Sequence, residues 1–143
     1  MTTTARELTI TREFDAPRAV VWEAITAAEQ VAEWFGPEGF GTEGVEIDLR
    51  VGGRYDLTML AGDARHPVHY EIAELDPPHL LVLTSPPMPE IGIHEMTTTR
   101  IELSEAGGRT SMRLTDGPYV DATHAEAGWR GALAKLEALL AAH

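Results

Sequence analysis

The spacing of apolar positions changes along the chain from two to roughly 3.6, back to two, and finally to 3.6 again, and each change marks a change of element. From Arg6 to Phe14 the residues Leu8, Ile10, Arg12 and Phe14 share one side of an alternating strand. Asp15-Ala16-Pro17 then offers a capping aspartate and a proline tolerated in a first helical turn. Val20, Val21, Trp22, Ile25 and Ala28 recur at helical spacing, which predicts a short helix to about Thr26. A second short helix carries Val31, Trp34 and Phe35 and stops at Gly36-Pro37, where the backbone is freed and the ladder cannot continue.

Alternation returns at Val45, Ile47, Leu49 and Val51, set against Glu46, Asp48 and Arg50, and predicts a half-buried strand turned at Gly52-Gly53. Tyr55, Leu57 and Met59 resume it as far as Gly62-Asp63. Val68, Tyr70 and Ile72 form the next strand, closed by Asp76-Pro77-Pro78, and Leu80 to Thr84 a short apolar one, ended by Ser85-Pro86-Pro87. Thr97, Thr99, Ile101 and Leu103 alternate, Gly107-Gly108 turns the chain, and Thr110, Met112 and Leu114 alternate again. From Val120 to Ala142 one helix is expected, with Trp129, Leu133, Leu136 and Leu140 in a single stripe. At that length, roughly 35 Å, it buries its stripe only by lying across the strands. The fold class is therefore α+β: a twisted antiparallel sheet of about seven strands wrapped around a long C-terminal helix, with two short helices after the first strand. Residues 1–143 read as one domain, because no repeat, low-complexity tract or linker divides them.

Phe14-Asp15-Ala16-Pro17, Val21-Trp22, Ala32-Glu33-Trp34-Phe35-Gly36-Pro37, the run Asp48 to Tyr55, the run Glu74 to Leu80, and Gly128-Trp129 with Leu133 and Leu136 occur in an order that spans nearly the whole chain. In that order they resemble the START-like superfamily, also called SRPBCC or birch-pollen-allergen-like. Within it, the chain is similar to the branch of homologues of the activator of the heat-shock-protein-ninety ATPase. The resemblance implies a helix-grip fold with a cavity between sheet and long helix. The eukaryotic activators share only their C-terminal domain with this pattern, and a separate N-terminal domain does much of the chaperone stimulation. Chaperone contact is thus the third expectation, behind ligand binding and cavity-based catalysis.

Composition narrows the partners. Eleven basic residues against 23 acidic ones give a formal net charge of −12, and Lys135 is the one lysine. Nucleic acid and anionic membrane surfaces require clustered cations and are not expected. No run of apolar residues is long enough to cross a bilayer, and the first residues lack the pattern of a signal peptide, so a cytoplasmic location is expected. With no cysteine there is no disulfide or thiolate chemistry.

The candidate chemistry is apolar. Trp34, Phe35, Phe40, Tyr55, Met59, Tyr70, Met88, Met96, Met112 and Trp129 supply the flexible and aromatic groups that line sites for small apolar molecules. The expected ligand walls are Trp34, Phe35, Tyr55, Met59, Tyr70, Met112, Trp129 and Leu133. His66 and His69 would fall on opposite faces of a strand, His79 in a turn and His143 at the terminus; none has metal-ligand spacing, so no metal or cofactor is expected. His94-Glu95, or Asp116 with His124, are the pairs that could serve as general acid and base near a cavity mouth. No residue is assigned a catalytic role. The reading is binding of a small apolar or amphipathic ligand, with a cyclase-like enzyme as the alternative.

Overall fold

The computed structural model describes residues 6–89 and 95–141. In chain order its elements are β1 (Arg6–Phe14), α1 (Arg18–Thr26), α2 (Ala28–Trp34), β2 (Gly41–Ile47), β3 (Arg54–Ala61), β4 (Ala64–Asp76), β5 (Leu80–Ser85), β6 (Thr97–Ala106), β7 (Arg109–Tyr119) and α3 (Thr123–Ala141). The strands form one seven-stranded antiparallel sheet in the order β1-β7-β6-β5-β4-β3-β2. From β2 to β7 each strand lies beside the next, as short turns require. Only β1 breaks this sequence, by pairing with β7. The chain leaves β1 at one edge of the sheet and enters β2 at the other, so α1 and α2 span the distance between them.

Directly paired residues of neighbouring strands share a face. The register therefore aligns Ile72, Leu83, Thr99, Asp116 and Leu8 in one row, and Leu81, Ile101, Leu114 and Ile10 in the next. Both rows lie on the side that α3 covers with Trp129, Ala132, Leu133, Leu136 and Leu140, and these apolar residues join one core with Phe14, Tyr55 and Met112. This is the helix-grip arrangement expected from the periodicity. Arg12 falls on the same face as Leu8 and Ile10 and is balanced by an ion pair to Glu137 on α3.

Three local expectations are corrected. The strand read over Val45 to Val51 runs instead over Gly41–Ile47, and Leu49 and Val51 are 40% and 62% exposed. The chain folds on itself after Ile47: Arg50 N–H donates to the Asp48 carbonyl (2.8 Å) and Gly53 N–H to that of Arg50 (2.8 Å). Gly52 and Gly53 then exchange hydrogen bonds with Ile72 of β4. Arg50 and Arg54 sit outside, paired with Asp48 and Glu46. The long helix begins at Thr123 rather than Val120, which is 70% exposed. The Asp121 carboxylate accepts both the backbone N–H (3.0 Å) and the hydroxyl (2.6 Å) of Thr123, and these bonds hold its carboxyl below the usual range. Nineteen residues give a helix of about 28 Å, and Ala142 lies outside the described residues. Finally, the donor at the start of α1 is not taken by Asp15. Arg18 N–H donates to Glu105 of β6 (2.6 Å), a tertiary contact that no local pattern announces.

Two stability predictions follow from this packing. A Cβ on Gly53 would lie 2.0 Å from the Asp48 carbonyl oxygen, so Gly53→Ala must open the turn. It is expected to lower unfolding free energy by about 2 kcal/mol or more, while Gly62→Ala, whose Cβ meets nothing and which carries only the strain of its φ of +61°, is expected to cost less. Leu133→Ala, at a fully buried site, is expected to cost about 2–5 kcal/mol in the same urea titrations.

Candidate functional site

The eight residues expected as ligand walls all fall in, or pack directly against, the core between the sheet and α3. Phe35 is the hub. Its ring centroid lies 5.6 Å from Trp129 and 6.3 Å from Tyr70, both edge-on, and 5.6 Å from Trp34. Tyr70 in turn meets Tyr55 at 6.1 Å. Met112 and Leu133 are fully buried beside them, whereas Met59 and Tyr70 are only half-buried. Of the wider set, Phe40 and Met88 are half-buried and Met96 is exposed.

Two of the aromatics are tied to the backbone by their polar tips. Trp34 Nε1–H donates to the Ala24 carbonyl (2.8 Å) and Tyr55 O–H to that of Ile25 (2.8 Å). Carbonyls in the last turn of a helix lack intrahelical partners, so these side chains cap α1 from its C-terminal end. Phe35 is held by a different device. Lys135 Nζ, on α3, donates to the carbonyls of Phe35 (3.3 Å), Pro37 (3.2 Å) and Phe40 (3.1 Å). Desolvation there lowers the Lys135 pKa, with Glu38 opposing the shift. Gly131 lets the loop come this close, since a Cβ would stand 2.8 Å from the Glu38 nitrogen.

The feature that the apolar pattern leaves out is polar. Ser85, Thr97, Thr99 and Asp116 are buried on the concave face of β5, β6 and β7, and the register makes Ser85 with Thr97, and Thr99 with Asp116, direct neighbours. Asp116 is 2% exposed. Its Oδ1 accepts the Thr99 hydroxyl (2.8 Å), and its Oδ2 accepts both Tyr119 O–H (2.7 Å) and Trp129 Nε1–H (2.8 Å). A buried carboxylate without partners is costly, so these donors are what permits it. Burial, and then the nearness of Asp116, push the Tyr119 and Tyr70 phenols far above their usual range; both remain protonated at any ordinary pH.

Tyr119 reaches Asp116 because the strand is irregular there. Arg6 pairs with Tyr119 and Leu8 with Asp116, so two steps along β1 match three along β7. The extra residue, at Gly117-Pro118, turns Tyr119 onto the face of Asp116. Strict alternation puts it on the opposite face, which is why sequence reasoning missed it. Thr97 and Thr99 carried a signal: they continue the core-facing positions of Ile101 and Leu103 with polar residues.

Of the two candidate acid–base pairs, Asp116 with His124 is not assembled, and His94-Glu95 falls partly outside the described residues. Asp116 is enclosed by Thr99, Tyr119 and Trp129, while His124 is exposed on α3. There it lines an open groove of about 680 Å³ with Pro37, Phe40, Gly128 and Gly131. His94 lies outside the described residues, as does His143. His66 and His69 are exposed on β4, and His69 stands 3.4 Å from Asp56. Among the described residues no three His, Asp or Glu side chains converge as metal ligands. A second concavity, about 280 Å³, opens at the 48–54 turn and reaches Tyr70.

Residues 15–141 match the family described as activator of Hsp90 ATPase homolog 1-like protein. The chain belongs to that family. Its helix-grip fold places it in the START-like superfamily. Protein CV1439 from Chromobacterium violaceum is similar at 27% identity and a TM-score of 0.84, over 94% of this chain and 96% of that one. Ms6760 from Mycobacterium smegmatis is similar at 26% identity and a TM-score of 0.77, over 95% and 91%. CalU16 from Micromonospora echinospora is similar at 26% identity and a TM-score of 0.69, over 95% and 76%. No curated protein matches at a significant level. Among the described residues no helix is long and apolar enough to cross a membrane.

Within this family frame, the bond from Trp129 to Asp116 joins α3 to the sheet through a charge-assisted contact. Trp129→Phe keeps the ring and removes the donor. It is expected to cost about 1.5–3 kcal/mol in chemical unfolding. Because Tyr119 shares the same oxygen, adding Tyr119→Phe should give a double-mutant cost that departs from the sum of the singles.

Proposed function

We propose that this chain binds a small apolar or amphipathic molecule between the concave sheet face and α3, acting as one helix-grip unit. The observation that carries this reading is the composition of the enclosed face. An aromatic and methionine cluster of Trp34, Phe35, Tyr55, Met59, Tyr70, Met112, Trp129 and Leu133 adjoins one small, fully hydrogen-bonded polar group around Asp116. Binding sites for small molecules have this makeup: mostly apolar walls and a few fixed polar atoms. Membership of a superfamily whose members commonly hold ligands in this place supports it.

Trp34 and Tyr55 form the rear wall, fixed by their bonds to α1. The entrance lies at β3 and β4, where Met59 and Tyr70 are half-buried and Tyr70 borders an open concavity. Met59 is the movable part, because its unbranched thioether side chain repacks at low cost. Binding is favoured over catalysis because Asp116 is bonded to Thr99, Tyr119 and Trp129 instead of a histidine.

Trp129 provides the assay. Titration with a panel of neutral aliphatic alcohols and polyketide-like phenols is expected to change indole emission saturably. Met112→Trp and Leu133→Trp fill the space and should weaken binding at least about tenfold, with only modest strain on the fold. Affinities are compared by equilibrium dialysis, because the added indoles alter the emission. Absence of saturable binding by the wild type, or unchanged affinity in both filled variants, would overturn the reading.

A further inference from the structure

The polar group within the core is one-sided in charge, and this bears on what the ligand carries. Among the described residues Asp116 is the one charged side chain that is fully buried, and its buried polar neighbours Ser85, Thr97 and Thr99 are hydroxyls. The cations nearest the enclosed face are already committed: Arg12 to Glu137, and Lys135 to the three carbonyls of the loop after α2. An ionised carboxylate offers about four acceptor positions on two oxygens. Oδ2 of Asp116 already receives Tyr119 and Trp129, whereas among the described residues Oδ1 receives Thr99 alone. One acceptor position therefore remains on Oδ1.

We infer that the polar end of the bound molecule is a hydrogen-bond donor, a hydroxyl or an ammonium, seated against Oδ1 of Asp116, and that molecules ending in a carboxylate are excluded. This rests on the binding function proposed above and specifies its ligand class. A donor completes the acceptor capacity of the carboxylate without displacing an existing bond. An acid brought to the same place would set two like charges together with no free cation among the described residues to separate them, in surroundings where neither is hydrated. Tyr70, whose phenol stays protonated, is close enough to Asp116 and Thr99 to feel both, so it adds a donor and no cation to this region.

Four probes of equal chain length separate the possibilities: decan-1-ol, decylamine, 1-methoxydecane and decanoate. Binding is measured by Trp129 emission and by equilibrium dialysis in about 0.5 M salt, which screens the attraction of the acidic surface for the amine. The alcohol and the amine are expected to bind at least about tenfold more tightly than the ether, and decanoate more weakly than any of them. Asp116→Asn removes the charge and should bring decanoate to within about threefold of the alcohol. Should that variant fold poorly, Thr99→Val keeps the carboxylate and frees a further acceptor position on Oδ1, so the preference for donors should persist or grow. Equal binding of all four probes would leave the apolar site standing and overturn the inference about its polar end. Tight binding of decanoate, or loss of the donor preference in Thr99→Val, would overturn it as well. If none of the four binds, the proposed function itself fails.

Discussion

A carboxylate enclosed in an apolar core is the constraint around which this molecule is arranged. Asp116 is tolerable only while its donors are in place, and those donors come from three elements: Thr99 from β6, Tyr119 from the end of β7 and Trp129 from α3. Each donor fixes a different degree of freedom. Thr99 fixes the register of two strands, Tyr119 the irregular end of one of them, and Trp129 the position of the helix above both. Apolar stripes alone would let a helix slide or rotate on a sheet, because hydrophobic contact is not directional. The bond from Trp129 removes that freedom, as Lys135 does about one and two-thirds turns further along the same helix.

The two short helices belong to the same system. They bridge the edges of the sheet, and the loop that follows α2 is clamped to α3 by the Lys135 ammonium. The clamp sets Phe35 between Trp129, Tyr70 and Trp34, so the aromatic cluster is organised by backbone carbonyls and one cation instead of by ring contacts alone. Trp34 and Tyr55 serve twice: their rings line the interior, and their polar tips cap α1. Replacing either ring therefore disturbs a helix end as well as a wall. For the same reason, loss of binding in such a variant would say little about ligand contact.

How much of this was legible in the sequence depends on the range of the interaction. Strands with clean alternation, such as Thr97 to Leu103, and the Trp129-to-Leu140 stripe of α3 identified the fold class and the core, because burial of one face imposes the period directly. Leu49 and Val51 misled, since alternation there continues by chance into a turn held by backbone hydrogen bonds and Gly53. The eight residues expected as ligand walls were legible as core residues, because bulky apolar side chains on core faces have nowhere else to go. The polar group was not. In the sequence Asp116 stands out only as an acid–base partner for His124, and Tyr119 shows its true face only once the extra residue in β7 is known. Glu105 at the start of α1 and Lys135 over the loop are likewise contacts between distant segments, and no local period encodes them.

A closed interior and a binding site are compatible when one wall yields and the others do not. Of the residues proposed as walls, Met112, Leu133, Trp34 and Tyr55 are fully buried and are held from the sheet, from α3 and from α1. The half-buried ones, Met59 and Tyr70, lie on β3 and β4, in the half of the sheet toward the β2 edge. Displacing Met59 costs rotamer changes in a flexible chain, whereas displacing Trp129 would strip a donor from a buried charge. On the binding function proposed above, the direction of entry is thus set by the same carboxylate that anchors the fold: space can open where no bond to Asp116 is at stake.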